Sequence, residues 1–324
     1  MPIMKLSPVF KDYLWGGERL RALYPDQTRA MPVVAEAWLL SAHPDGVNRV
    51  ANFPYAGLPL PLALRQIGRR ALGRRAADIP FFPILAKLID ARDRLSVQVH
   101  PDDAYAGRVE HSFGKSEMWY ILDADEDACI LYDFARPCTR KEVGEAIAAN
   151  QLVSLLRRCP VRKGEAYYIP AGTVHAIGAG CLIAEVQQNA NLTYRVYDYG
   201  RRGRDGKLRE LHIDKALDVM RTIPSAHPLI DLARQNEADF IPLPGRLICL
   251  SPYFQVAALP LGDTAQEIVV GEDSFLSLIV LSGTGELGGS AGYRPLRAGE
   301  SYFIPAGTGK ITLCGTGEVL LTTL

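Results

Sequence analysis

The sequence predicts a mainly β protein: two related β modules in tandem, the second degenerate, with a few helices packed on the first. Three observations carry this reading. Residues 164–175, Gly-Glu-Ala-Tyr-Tyr-Ile-Pro-Ala-Gly-Thr-Val-His, set a short apolar run against a Pro-Ala-Gly turn. Proline cannot donate to a strand ladder and glycine accepts the turn's backbone angles, so one strand ends at Ile169 and another begins at Thr173. Residues 298–308, Ala-Gly-Glu-Ser-Tyr-Phe-Ile-Pro-Ala-Gly-Thr, then repeat residues 163–173 at a constant offset of 135. A repeated supersecondary unit implies a repeated module. Beyond residue 246 the chain contains only strand-like runs and glycine turns.

Taken in order, residues 1–58 hold short apolar runs broken by Gly and Pro (Trp15-Gly16-Gly17, Ala35 to Leu40, Val47 to Phe53), which read as strands or strand edges. Leu60, Leu62, Leu64, Ile67 and Leu72 among Arg and Ala predict a helix over 60–77. Residues 80–100 return to strand, with Leu95 to His100 alternating at period two. A polar loop from Pro101 to Ser116 leads to strands at 117–122 and 128–132. The clearest helix is Thr139 to Arg158: Thr139 and Glu142 form a capping box, and Val143, Ile147, Leu152, Leu155 and Leu156 an apolar stripe. Strands resume over 161–199, and a short helix is expected over 214–220. Pro and Asn cluster between 224 and 245, which marks a junction between a catalytic domain, 1–240, and a C-terminal domain, 241–324.

Composition narrows the function. The 324 residues carry 36 basic and 36 acidic side chains, so no field steers the chain toward nucleic acid or an acidic membrane surface. No run approaches the ~20 apolar residues of a membrane span, and Met1 to Leu6 lacks the apolar core of a signal peptide. The six cysteines contain no Cys-x-x-Cys pair. That suits a reducing cytoplasm and argues against a thiolate metal site. Cys181 reads as a packed thiol.

Chemistry concentrates in the first module. Gln98 and His100 lie two apart on a strand and face the same side. Glu117 opens the next strand, and the Pro-Ala-Gly turn presents His175. Two imidazoles, one carboxylate and one amide oxygen suit zinc or another borderline divalent ion with a position open to substrate. In the second copy the His175 position is Lys310, a poor ligand at neutral pH, so one metal ion per chain is expected and the C-terminal domain is expected to hold none. His43, His111, His212 and His227 lack such a context and read as surface or packing residues. An iron-dependent dioxygenase is a weaker reading, because an amide ligand does not suit it.

These motifs resemble known families. Gly, five residues, Pro, one, Gly, two, His resembles the second metal motif of the cupin superfamily. The segments 95–103, 114–120, 168–176 and 185–189, running into Tyr-Arg-Val-Tyr-Asp-Tyr at 194–199, resemble type I mannose-6-phosphate isomerase in its short bacterial form; Trp15-Gly16-Gly17 and Glu36-Ala37-Trp38 fit the same pattern. The resemblance implies a tandem cupin of two β-barrel or jelly-roll modules with one zinc ion held by Gln98, His100, Glu117 and His175. It implies a catalytic Arg195, with Glu185 and Lys115 as neighbouring site residues. The asparagine that cupins often carry four residues after the histidine is Ala179 here.

The implied activity interconverts mannose 6-phosphate and fructose 6-phosphate through a cis-enediol in the cytoplasm. A metal-binding cupin acting on or sensing another sugar or sugar phosphate is the alternative. Glu185 shares strand parity with His175 and is expected to face the same cavity, where partial burial would raise its pKa toward that of a general base. Arg195, Lys115 and Lys87 are the expected substrate contacts, because no glycine-rich phosphate loop precedes a helix. The expected partner is a small sugar phosphate alone, on a monomer or weak homodimer.

Overall fold

Antiparallel strand pairing organises the chain. The computed structural model describes residues 1–203, 205–225, 240–290 and 292–324. Their strands fall into sheets of nine, six and five, none of which closes into a barrel among the described residues. The mainly β class with few helices is as the sequence implies.

Contacts divide the chain into two compact units, and the division differs from a single cut at 240. One unit joins Met1–Phe10, Ala37–Lys87 and Asp231–Leu324; the other joins Lys11–Glu36 and Leu88–Ile230. Pairing explains the grouping of the N-terminus with the C-terminal module. The strand Met4–Ser7 pairs with Ser301–Ile304 in the register Met4↔Phe303, Lys5↔Tyr302 and Leu6↔Ser301. The Pro- and Asn-rich junction between 224 and 245 lies largely outside the described residues.

In this first unit the nine-stranded sheet surrounds an apolar cluster that includes Leu278, Val280, Leu287, Tyr302, Ile311, Leu313 and Leu321. Its strands Leu276–Gly289 and Gly309–Thr323 run antiparallel over most of their length. Lys310, at the position equivalent to His175, points out to an ion pair with Glu267.

The second unit contains the five-stranded sheet, in the order Tyr194–Tyr197, Val97–Val99, His175–Ile177, Cys129–Phe134 and Leu156–Pro160. Three strands of the six-stranded sheet also belong to it: Ala166–Ile169, Glu117–Ala124 and Cys181–Gln188. Trp15, Trp119, Tyr132, Tyr167, Ile169 and Ile183 belong to one apolar cluster of this unit. The Thr139 capping box forms, with Thr139 and Glu142 bonding each other's backbone N–H groups, and Val143 and Ile147 turn inward.

Three helical expectations change. The helix predicted over 60–77 runs only from Leu60 to Ile67 and continues as two 3-10 turns, Arg69–Leu72 and Arg74–Ala76. Gly68 and Gly73 separate them at φ +93° and +88°, values that end a right-handed helix and that glycine adopts without strain. The helix predicted to Arg158 stops at Ala148; Asn150 turns the chain at φ +56°, and Leu156–Pro160 pairs as a strand with Cys129–Phe134. The polar loop 101–116 contains a helix, Asp103–Val109, whose cap Asp102 accepts a hydrogen bond from the Tyr105 backbone N–H. The helix expected over 214–220 is present as Ile213–Val219.

Leu278 has no exposed surface, whereas Tyr293 of the same unit is 74% exposed. Leu278→Ala should therefore destabilise the protein by about 2–5 kcal/mol in denaturant unfolding. Tyr293→Ala should change stability by no more than about 0.5 kcal/mol.

Candidate active site

The strand–turn–strand device is built the same way in both copies. In the first, Glu165 accepts hydrogen bonds from the Arg162 backbone N–H at 2.8 Å and the Tyr167 hydroxyl at 2.7 Å. In the second, Glu300 accepts from the Arg297 backbone N–H at 3.1 Å and the Tyr302 hydroxyl at 2.9 Å. Gly172 and Gly307 close the two turns at φ +85° and +73°. The strands leaving the two turns differ in cargo: a buried imidazole, His175, on one and an exposed ammonium, Lys310, on the other.

Register then sets the site. His175 is the cross-strand partner of Gln98, and Gln98 that of Arg195. Cross-strand partners project from the same face, so these three form a row across the five-stranded sheet. In the six-stranded sheet Glu117 is opposite Gln187, and Trp119 opposite Glu185. With period-two alternation Glu117, Trp119, Glu185 and Gln187 share one face. His100 comes immediately after the strand Val97–Val99.

The side chains converge. Glu117, without exposed surface, places Oε1 3.3 Å from His175 Nε2 and Oε2 3.5 Å from His100 Nε2. The Lys115 ammonium lies 2.6 Å from Glu117 Oε2, 3.2 Å from His100 Nε2 and 3.7 Å from Glu185 Oε1. His175 Nδ1–H donates to the Thr173 carbonyl at 2.9 Å, which turns the Nε2 lone pair toward Glu117. The Gln98 amide meets His175 Nε2 at 3.2 Å. Trp119 packs edge-on to the His175 ring at 5.4 Å, and its indole N–H donates to Glu185 Oε2 at 3.0 Å.

Burial pushes the pKa of His175 down to about 4, so the ring is neutral at neutral pH, the form that ligates a metal. Ligand atoms of His100, Glu117 and His175 lie within 4.8 Å of one another, and among the described residues they form the one such group. Two imidazoles and a carboxylate, with an amide beside them, fit a borderline divalent cation. With neutral imidazoles the cluster also sets two carboxylates, Glu117 and Glu185, against the Lys115 ammonium, a balance that a divalent cation reverses.

Two comparisons decide the family. The description phosphomannose isomerase type I, catalytic domain, matches residues 3–141, and mannose-6-phosphate isomerase, cupin domain, matches 247–324. The mannose-6-phosphate isomerase ManA of Bacillus subtilis is 36% identical over 321 residues, covering 98% of both chains. The chain belongs to the type I mannose-6-phosphate isomerase family. Another family member, the mannose-6-phosphate isomerase of Streptococcus mutans, is 36% identical over 94% of this chain and 92% of its own. The crystal structure of the mannose 6-phosphate isomerase from Bacillus subtilis superposes with a TM-score of 0.87 at 34% identity, covering both chains completely. A mannose 6-phosphate isomerase described as holo and zinc-bound shares the fold, with a TM-score of 0.79 at 17% identity over 99% of each chain.

Of the residues singled out from the sequence, Gln98, His100, Lys115, Glu117, His175 and Glu185 come together, and Arg195 stands in the same row as Gln98. The Arg195 guanidinium donates to the Glu210 carbonyl at 2.8 Å, and burial among other cations lowers its pKa. Lys87 belongs to the other unit, buried with its ammonium 6.0 Å from the Trp38 ring centroid. His43, His111 and His212 lie outside the cluster; His227 falls outside the described residues. Cys181 is a buried free thiol, its pKa pushed up to about 12 by burial.

Sequence reasoning misses Trp119, although its parity with Glu117 in Glu117-Met118-Trp119 marks it as facing the same cavity. It misses Ser116 as well, whose hydroxyl accepts from the Ala171 backbone N–H at 3.2 Å and so ties the turn to the Glu117 strand.

The depressed His175 pKa has a pH consequence for the metal-free protein. The unfolded imidazole takes up a proton near pH 6.5 and the folded one near 4, so its contribution to stability is full above about 6.5 and falls as pH drops toward 4. The urea midpoint of chelated protein should drop across that window, and the His175→Ala variant should show a smaller drop.

Proposed function

We propose that the chain is a zinc-dependent isomerase interconverting mannose 6-phosphate and fructose 6-phosphate through a cis-enediol. The single observation that supports it best is the convergence of two imidazole nitrogens on one fully buried carboxylate, beside a second buried carboxylate. Family membership points to the aldose, since the Bacillus subtilis and Streptococcus mutans relatives are named mannose-6-phosphate isomerases, and aldose–ketose isomerisation of that sugar gives fructose 6-phosphate.

In this reading His100, Glu117 and His175 hold the zinc, with Gln98 as the weaker fourth ligand. A zinc ion held there would supply Lewis-acid polarisation of a substrate oxygen. Glu185 serves as the base: it takes the proton from C2 of the open-chain aldose as O1 gains one, and returns it to C1 of the enediol as the O2 proton leaves. Trp119 fixes Glu185 Oε2, which restricts the carboxylate's orientation. Lys115, between Glu117 and Glu185, donates a hydrogen bond to a substrate oxygen as negative charge grows on it. Arg195 adds positive charge from the same face of the sheet.

An assay coupling mannose 6-phosphate conversion to a fructose 6-phosphate-consuming enzyme tests the reading. Chelation should abolish turnover and zinc should restore it; zinc-loaded protein without turnover overturns the proposal. Metal analysis should find one zinc per chain, lost in His100→Ala and His175→Ala. Stoichiometric zinc in His175→Ala would remove that residue from the ligand set.

Glu185→Gln should fold and retain zinc yet fail to exchange the C2 proton with solvent; near-normal exchange in that variant places the base elsewhere. Arg195→Ala should lower kcat by on the order of 10²-fold, with zinc content unchanged. A loss confined to KM would instead make Arg195 a binding residue.

A further inference from the structure

Asp103 closes the motif segment 95–103 and Gln188 lies in 185–189, yet neither supplies a metal ligand or a base. The fold brings them together. The Gln188 amide is buried and reaches in two directions. Its Oε1 accepts the Ser116 backbone N–H at 2.9 Å, and its Nε2 donates to the two Asp103 oxygens at 3.0 and 3.2 Å. Only this orientation of the amide suits both partners, because a backbone N–H donates and a carboxylate accepts. Asp103 Oδ1 also accepts the Gly114 backbone N–H, at 2.8 Å.

These contacts close around one residue, Lys115. The N–H of Gly114 goes to Asp103, that of Lys115 to the Pro101 carbonyl at 3.0 Å, and that of Ser116 to Gln188. The backbone at Lys115 therefore cannot rotate without breaking one of these bonds. Steric room fixes the approach as well. A Cβ on Gly114 would lie 2.4 Å from the Asp102 carbonyl carbon, so only glycine fits where this segment crosses the start of the helix Asp103–Val109.

Lys115 needs such support, because its charge sits at the end of a flexible four-carbon stem. The ammonium is held 2.6 Å from Glu117 Oε2 and 3.7 Å from Glu185 Oε1. Glu185 and Gln188 belong to the same strand, Cys181–Gln188. One strand thus carries the second carboxylate and grips the peptide next to the lysine. The Gln188 backbone N–H adds a bond to the Ser116 carbonyl at 3.1 Å. The separation of Lys115 from Glu185 is set where Gln188 meets Ser116.

We propose that Gln188 and Asp103 are positioning residues: they hold the Lys115 ammonium at the distance from Glu185 at which it meets a substrate oxygen while that carboxylate moves the proton. This rests on the isomerase reading and extends it from the reacting groups to the pair that sets their spacing.

The pair can be reversed without changing its charge. Gln188→Glu sets a second carboxylate against Asp103, and like charges at that distance repel. Asp103→Asn puts an NH2 group where Oδ2 faced the Gln188 NH2 group. In the double variant the introduced carboxylate accepts from Ser116 and from the introduced amide, whose oxygen accepts from Gly114.

The test measures kcat and KM for mannose 6-phosphate in zinc-loaded wild type, Gln188→Glu, Asp103→Asn and the double variant. Each single variant should keep one zinc per chain and lower kcat on the order of 10- to 100-fold, with KM changed less. The double variant should recover most of the loss. Asp103 is exposed, so Asp103→Asn serves if Gln188→Glu does not fold. Wild-type kcat in the single variants, a loss confined to KM, or a double variant no faster than the singles overturns the assignment. A lower Tm with kcat retained marks a merely structural contact and overturns it too.

Hydrogen exchange of the peptide spanning 112–117, followed by mass spectrometry, separates this proposal from the isomerase reading. The amides of Gly114, Lys115 and Ser116 should exchange at least about tenfold faster in the single variants and slow again in the double. That pattern upholds the hold on Lys115 even if mannose 6-phosphate is not turned over. Unchanged exchange in the single variants overturns it.

Discussion

Glu117 is a carboxylate with no exposed surface, and the arrangement of its unit depends on keeping it there. Removing such a charge from water costs several kcal/mol unless a cation meets it. Lys115 meets it from the segment leading into its own strand, while His100 and His175 come from the facing sheet. The His175 turn, the end of the Val97–Val99 strand and the start of the Glu117–Ala124 strand must therefore meet within a few ångströms. Ser116 joins two of them directly through its contact with Ala171.

The duplicated turn shows how little local structure decides chemistry. Both copies use a glutamate to tie a backbone N–H to a tyrosine hydroxyl, and both close with a left-handed glycine. In one unit the next strand brings His175 to a polar centre. In the other, Lys310 turns outward to Glu267, and aliphatic side chains such as Leu278, Ile311 and Leu313 form a buried core. Once the interior of that sheet is apolar, a ligand set there would leave buried polar groups without partners.

Polarity is graded along the His175–Gln98–Arg195 row. The metal-ligand end sets Glu117 and Glu185 against Lys115, and the arginine end gathers Arg201 and Arg209 on Asp198 beside Arg195. The row stays ordered because hydrogen-bonded register, rather than a flexible loop, sets the spacing between its members.

Local chemistry in the sequence determined the strand–turn–histidine device, its repeat, the pairing of Gln98 with His100 on one face and the capping box at Thr139. Each depends on neighbours a few residues apart, through proline's missing donor, glycine's allowed angles, period-two alternation or a side chain reaching its own backbone. The same rules misjudge helix length at 60–77 and 139–158. There the stop is a glycine or asparagine at positive φ, and in the second case a strand pairing that helix periodicity does not contain. The meeting of Lys115 with Glu117 and Glu185, the hold of Trp119 on Glu185, the gathering of Arg195, Arg201 and Arg209 at Asp198 and the pairing of Met4–Ser7 with Ser301–Ile304 were decided only in the tertiary structure. These contacts depend on sheet register between distant segments, and register is set by which faces are buried together, a property of the folded whole.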